Sequence, residues 1–293
     1  FHRNVCFSAL IRGADVWGWK DALTKTWLYR GTLHGVVTED LPTLLAIGAR
    51  DSYLKSYFGD KLIEDLSERV LRLMEDGVYS RAEMRKIFAW DYDPYTIEHM
   101  FSPWGGVFVY LARQGKVAFR DMTSRDFDLI DAAPWQSQEE VLPELVNRYF
   151  TAYGPATIDD ATAFLGLPKE DKKKVAALDL SAFERLEHGG NTYYYADAGA
   201  RMGDIPELTL LSGFDPFIVS YADRSAVLPK EYRSRVILKS GICNPTIAIN
   251  GQVAGIWNIK KNTPLVEFFE PQPPRLAEEA PALVDNIRRR LPG

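Results

Sequence analysis

Cysteine is nearly absent from this 293-residue chain: only Cys6 and Cys243 occur, far apart in sequence. They give neither a disulfide framework nor the paired spacing of a zinc site. Histidine is as sparse, with His2, His34, His99 and His188 scattered singly, so a metal centre is not expected. No window approaches the roughly 18 uninterrupted apolar residues of a membrane span. A reducing, cytoplasmic setting is expected, with a monomer as the default assembly. The chain begins at Phe1 and not at Met, which reads as a start that is processed, trimmed or incomplete.

A strong charge of either sign is also lacking. Hydrophobic residues make up 46% and charged residues 26%, and the net charge is −5. This is the composition of an ordinary globular protein, mildly unsuited to indiscriminate binding of polyanions. The distribution matters more than the total. Between residues 230 and 261, Lys230, Arg233, Arg235, Lys239, Lys260 and Lys261 are opposed only by Glu231. Such a cluster is either a solvated sheet edge, where lysines discourage edge pairing, or a face that contacts phosphate.

The length allows two or more compact units, and the pattern suggests four segments with an α+β fold. Residues 1–78 read mainly as helices. Within them "TEDLPTLLAIGA" has Thr38 placed to cap, and "DKLIEDLSERVLRLMEDG" carries apolar residues at three-to-four spacing until Gly77 closes it. Residues 79–145 open with Ser80 and Glu83 in capping-box spacing, continue through an interruption at Pro103–Gly106, and end in a strand. Helix, helix, then strand is the order of a winged helix. Residues 146–200 repeat the theme. Gly154-Pro155 breaks a helix, Thr157 and Asp160 form a second capping box, Gly166 supplies a corner, and Pro168 opens a second helix. "FERLEHGGNTYYYAD" then reads as two strands around a tight turn, so this segment is a helix-turn-helix with a hairpin attached. Residues 201–293 change period to short runs rich in Val, Ile and aromatics, with Asn250-Gly251 as a hairpin signal, suggesting an antiparallel barrel or sandwich closed by a C-terminal helix. Arg288, Arg289 and Arg290 fall in the last turn of that helix, the favourable end for cations.

A helix-turn-helix alone does not decide function. The candidate helix after Gly166 offers Lys169, Lys172, Lys173 and Lys174, which can hold phosphate but discriminate poorly between bases. Four stretches in order say more: "WLYRGTLHGVVTEDL" (27–41), "RYFTAYGPATIDDATAFLGL" (148–167), "LLSGFDPFIVSYADR" (210–224) and "PTIAINGQVAGIWNIKK" (245–261). Together they resemble the AlkZ/YcaQ-like winged-helix family of bacterial DNA glycosylases, over almost the whole chain. The resemblance implies tandem winged helices followed by a β-barrel, a curved body around duplex DNA, and hydrolysis of the N-glycosidic bond of alkylated purines, in some members with unhooking of interstrand crosslinks. It implies no metal and no organic cofactor. The family's catalytic Gln-x-Gln or Gln-x-Asp element lies directly before a segment resembling Phe1-His2-Arg3-Asn4, and "FSALIRGADVWGW" contains no glutamine. Three readings therefore stand: a glycosylase whose element precedes Phe1, a non-catalytic DNA-binding or regulatory protein on the same scaffold, or a protein-interaction or toxin-resistance factor with no DNA role.

The chemistry that the resemblance implies is simple. Alkylation at N7 puts positive charge on the purine, which then leaves readily. What remains is to place a water and to stabilise a cationic sugar. Candidate pocket residues are Arg30 and His34 in "RGTLH" and Asp215 in "GFDPF". The plainer alternatives are an ion-paired Arg30, a hydrogen-bonded interior His34, and an Asp215 that bonds local amides in a turn. Tyr193, Tyr194 and Tyr195 offer a stacking surface on one reading and wing packing on the other, and packing is favoured. Trp17, Trp19, Trp27 and Trp104 read as core. The candidate DNA-binding set is Arg3, Lys172, Lys173, Arg233, Arg235, Lys239, Lys260 and Lys261.

Overall fold

A computed structural model describes residues 2–13, 22–48, 54, 57–134, 136–196 and 206–290, with the side chains of residues 2–4 and 6 outside that set. In chain order the elements are α1 (His2–Ile11), β1 (Leu23–Trp27), β2 (Leu33–Val37), α2 (Leu41–Gly48), α3 (Asp60–Glu75), α4 (Arg81–Phe88), α5 (Pro94–Met100), α6 (Val107–Arg113), β3 (Val117–Phe119) and β4 (Phe127–Leu129). They continue with α7 (Gln138–Tyr153), α8 (Ile158–Phe164), α9 (Lys172–Ala176), β5 (Glu184–His188), β6 (Asn191–Tyr195), β7 (Leu208–Leu211), α10 (Pro216–Val219), α11 (Arg233–Val236), β8 (Thr246–Ile249), β9 (Gln252–Lys260), β10 (Thr263–Phe268) and α12 (Pro274–Arg290). The fold is α+β. The chain divides into two compact units, Trp19–Pro143 and a second that joins Phe1–Gly18 to Glu144–Gly293.

In the unit Trp19–Pro143 a strand pair stands ahead of the helices. β1 and β2 form an antiparallel hairpin, from Leu23 opposite Val37 to Trp27 opposite Leu33. Both are rich in β-branched or aromatic residues, and Arg30 and Gly31 at φ 60° and 66° turn the chain between them. Thr38 does not cap α2: its Oγ1 donates to the Ala22 carbonyl, and Thr38–Asp40 form a separate 3-10 turn ahead of Leu41. α3 follows its pattern, burying Ile63, Leu66, Val70 and Met74 along one face. Ser80 caps α4 by accepting from the Glu83 amide at 3.1 Å, and Asp93 caps α5 with Pro94 at the first helical position.

The core of this unit is aromatic. Phe108 stacks on Phe127 at 4.0 Å, and Trp27 lies 5.9 Å from Phe127. The Arg81 guanidinium sits within 6.0 Å of all three rings, and burial lowers its pKa. Lys25 is also drawn inside, donating to the Ser124 carbonyl at 2.6 Å and lying 4.0 Å over the Phe119 ring. Trp27 is thus core as read, whereas Trp104 is not. It sits in the surface break between α5 and α6 and is 82% exposed, because the residues taken inside there are Gly105 and Gly106, the latter in tight contact with the backbone of Met100 and Ser102, while Pro103 and Trp104 face out. Trp17 and Trp19 lie outside the described residues.

In the other unit, the Thr157 and Asp160 box forms in both directions, Thr157 Oγ1 accepting from the Asp160 amide and Asp160 accepting from the Thr157 amide. The same carboxylate takes the Ala222 amide at 2.8 Å, so a cap also anchors a distant loop. Gly166 turns the corner at φ 65°, and β5 and β6 pair around Gly189-Gly190. Tyr193 to Tyr195 are half-buried, with Tyr194 packed on Phe150 at 5.3 Å.

The expected barrel is not closed. β7 to β10 make an open antiparallel sheet in the order β10-β9-β8-β7, whose end strands do not pair with each other. Strand-like runs between β7 and β8 became helix instead: Asp215 caps Pro216–Val219, and Arg233–Val236 forms another single turn. A capped proline start overrides the β propensity of Phe-Ile-Val. Asn250-Gly251 turns β8 into β9 at φ 49° and 82°, as its sequence indicates. α12 lies on this sheet through Leu276, Ala280, Val284 and Ile287 at helical spacing, its large aliphatic side chains each contributing on the order of 2 kcal/mol. α1 packs there too, with Phe7 at 4.9 Å from Trp257.

Candidate nucleic-acid interface

The register of the four-stranded sheet defines one end of it. Leu211 stands opposite Thr246 and Thr246 opposite Ile256, so the loop after β7, the start of β8 and the far end of β9 lie on the same side. β9 then runs on to Lys260 and turns through Lys261 and Asn262, both with positive φ. The short hairpin made by the Ile237–Cys243 bridge joins this end, because the buried Cys243 packs in the same apolar cluster as Leu211 and Ile218. Lys239 lies in its turn.

Asp215 organises the loop after β7. Its carboxylate is wholly buried and accepts the Ser212 amide, the Ser212 hydroxyl and the Phe217 amide. It also takes Arg12 bidentately, at 2.8 and 3.1 Å. This fork-to-fork pair raises the Arg12 pKa and fixes the end of α1 to the sheet across 203 positions of sequence. Arg12 remains half-exposed, a positioned cation at the same end as the lysines. A second fastening comes from Arg290, which donates to the Leu10 carbonyl at 3.5 Å.

The sequence-derived candidates fall as follows. Lys173, Arg233, Lys239, Lys260 and Lys261 are exposed and enter no ion pair among the described residues. Lys172 is paired with Asp159 at 2.6 Å, and Arg235 is held by Glu267 and by the Phe269 ring. Arg3 belongs to α1, with its side chain outside the described set. Arg30 and His34 lie in the other unit, on the β1–β2 hairpin. His34 Nδ1–H donates to the Thr32 carbonyl at 2.9 Å, which leaves Nε2 as an acceptor. Its ring lies 4.7 Å from Tyr29, over which the Arg30 guanidinium sits at 5.7 Å. Burial, with the Arg30 charge adding to it, holds the imidazole neutral by lowering its pKa to about 4. Sequence reasoning missed Arg12, whose partner lies too far along the chain for any local signal. It also missed Phe214, whose left-handed backbone at φ 57° no residue preference announces.

No group of three or more His, Cys, Asp and Glu side chains among the described residues could hold a metal ion, and no described helix is long and apolar enough to cross a membrane. A family model described as "DNA glycosylase AlkZ-like" matches residues 20–291. The interstrand DNA cross-link repair glycosylase of Streptomyces sahachiroi is 27% identical over 292 residues, covering 88% of this chain and 76% of that protein. The solved structure of the Streptomyces sahachiroi DNA glycosylase AlkZ matches with a TM-score of 0.72 and 25% identity, covering 92% of this chain and 80% of that one. With a match that spans nearly all of its length, this chain belongs to the AlkZ-like DNA glycosylase family.

Proposed function

We propose that the protein hydrolyses the N-glycosidic bond of purines alkylated at N7 or N3, and that it unhooks interstrand crosslinks built from such adducts. The family match over residues 20–291 carries this reading, and the activity named for the Streptomyces relative extends it to crosslinks. The alkylated base is cationic and leaves readily, so the protein's task is to bind the duplex, reach the lesion and favour attack by water at the sugar. Lys239, Lys260 and Lys261 supply phosphate contacts at one end of the sheet, and Lys173 and Arg233 add exposed cations in the same unit. Asp215 is a positioning residue: it sets Arg12 and, through it, the end of α1. On the β1–β2 hairpin, a neutral His34 can face a cationic purine without repulsion, while Arg30 serves a neighbouring phosphate.

The helix pairs followed by hairpins, α5–α6 with β3–β4 and α8–α9 with β5–β6, are read as winged helices within modules 79–145 and 146–200, flanked by modules 1–78 and 201–293. The test incubates the full chain with a duplex carrying one N7-methylguanine, then cleaves abasic sites with alkali. A strand break at the lesion supports the reading. A duplex that is bound but keeps its base would mark a non-catalytic DNA-binding protein on the same scaffold.

A further inference from the structure

We propose that Phe214 is a wedge that enters the base stack of duplex DNA beside the lesion, an inference that rests on the glycosylase reading above. The ring is 47% exposed, and its backbone stands at φ 57°, a conformation that L side chains other than Asn and Asp rarely adopt. Nothing about the fold requires a large apolar side chain there; glycine would meet the backbone geometry without strain. The conformation is nonetheless held from both sides. The Asp215 amide donates to the Ser212 carbonyl at 3.2 Å, and the Asp215 carboxylate accepts from Ser212 on one side of Phe214 and from Phe217 on the other. A rigid loop thus presents an aromatic ring to solvent, where a folding role alone would bury the ring or dispense with it.

The surroundings name the partner. Arg12, fixed to the neighbouring Asp215, is half-exposed, and Lys239, Lys260 and Lys261 occupy the same end of the sheet with no ion pairs among the described residues. An apolar ring amid cations matches a base stack between two phosphate backbones. Insertion of Phe, Leu or Met between base steps is a general means of unstacking a duplex, and an enzyme that acts at a glycosidic bond must reach a base held in that stack. The aromatic ring has only two side-chain torsions, and its backbone is already pinned, so little freedom remains to be lost on insertion.

The experiment uses the full chain and a duplex with 2-aminopurine next to N7-methylguanine, a base whose fluorescence rises when it is unstacked. The wild type is expected to raise the signal, Phe214→Trp to keep it, and Phe214→Ala and Phe214→Gly to abolish it. Both small variants should lose single-turnover base release by roughly 10- to 100-fold, the range for one lost base–aromatic stack, with the salt dependence of duplex binding unchanged. Phe214→Gly also relieves the left-handed backbone, so its melting temperature should equal or exceed that of the wild type. A glycine variant with the full fluorescence rise overturns the proposal, as does one that melts several degrees lower and so shows the ring to be structural. A wild type that binds no duplex removes the glycosylase reading itself. One that binds and unstacks without releasing the base leaves the wedge standing and removes only the catalytic assignment.

Discussion

Replacing Asp215 with alanine removes, in one step, the acceptor of five hydrogen bonds: two from Arg12, two from Ser212 and one from Phe217. Loss of the cap on Pro216–Val219 costs about 1 kcal/mol. The Ser212 amide, left buried without an acceptor, costs about 1–2 kcal/mol more. A fully buried ion pair broken on one side costs about 3–5 kcal/mol, but Arg12 is half-exposed and can take up water, which reduces that share to about 1 kcal/mol. The sum is about 3–4 kcal/mol for the unit that holds the four-stranded sheet. At about 2–4 °C per kcal/mol for a unit of this size, its thermal transition should fall by roughly 10 °C. Near-ultraviolet circular dichroism follows it through Trp257, which is buried in that unit. A double-mutant cycle with Arg12→Met should return a coupling of about 1–2 kcal/mol. A coupling indistinguishable from zero, or a transition within 1–2 °C of the wild type, would refute the clamp and with it the idea that Asp215 positions α1.

Three further outcomes are expected. His34 is neutral in the fold with a pKa near 4 against an ordinary 6.5, so its contribution is full above pH 6.5 and is lost progressively as pH falls toward 4. The loss reaches about 3 kcal/mol at most, nearer 2 after solvent screening; urea midpoints at pH 7 and 4.5 should show it, and His34→Gln should flatten the dependence. Thr157→Ala should cost about 1 kcal/mol. Asp160→Ala should cost more, because Asp160 also holds the Ala222 amide, and equal midpoints for the two variants would sink this ranking. Reversal of Lys239, Lys260 and Lys261 to glutamate should weaken duplex binding and lower the slope of log affinity against log salt by up to about 3; an unchanged slope would move the DNA contact elsewhere.

Short-range chemistry was readable from the residues, and long-range chemistry was not. The Thr157–Asp160 box, the Asn250-Gly251 turn and the amphipathic face of α3 each follow from neighbours within a few positions, and each is present. The order of four motifs was enough to indicate the family. Failures came where one local signal beat another. Val, Ile and Phe after Asp215-Pro216 promised a strand, but the cap and the proline started a helix first. Thr38 stood where a cap belongs, yet its hydroxyl went to the neighbouring strand pair. Trp104 read as core on composition alone, although the break before α6 leaves it outside. Within the candidate site, the basic residues were found as a cluster, but the charges already engaged by Asp159 and Glu267 were visible only in three dimensions.

The clamp between Arg12 and Asp215 also fixes an order of events at the ribosome. Synthesis releases α1 well ahead of the residues that make its seat, among them Trp257 and Arg290. Trp19–Pro143 can meanwhile close its own aromatic core, so that unit matures before α1 finds its seat. Throughout that interval Phe7 and Leu10, almost fully covered in the finished molecule, stay open to solvent on the nascent chain. α1 therefore waits uncovered until its seat is made, and slow translation of the stretch from β7 to α12 would prolong the wait.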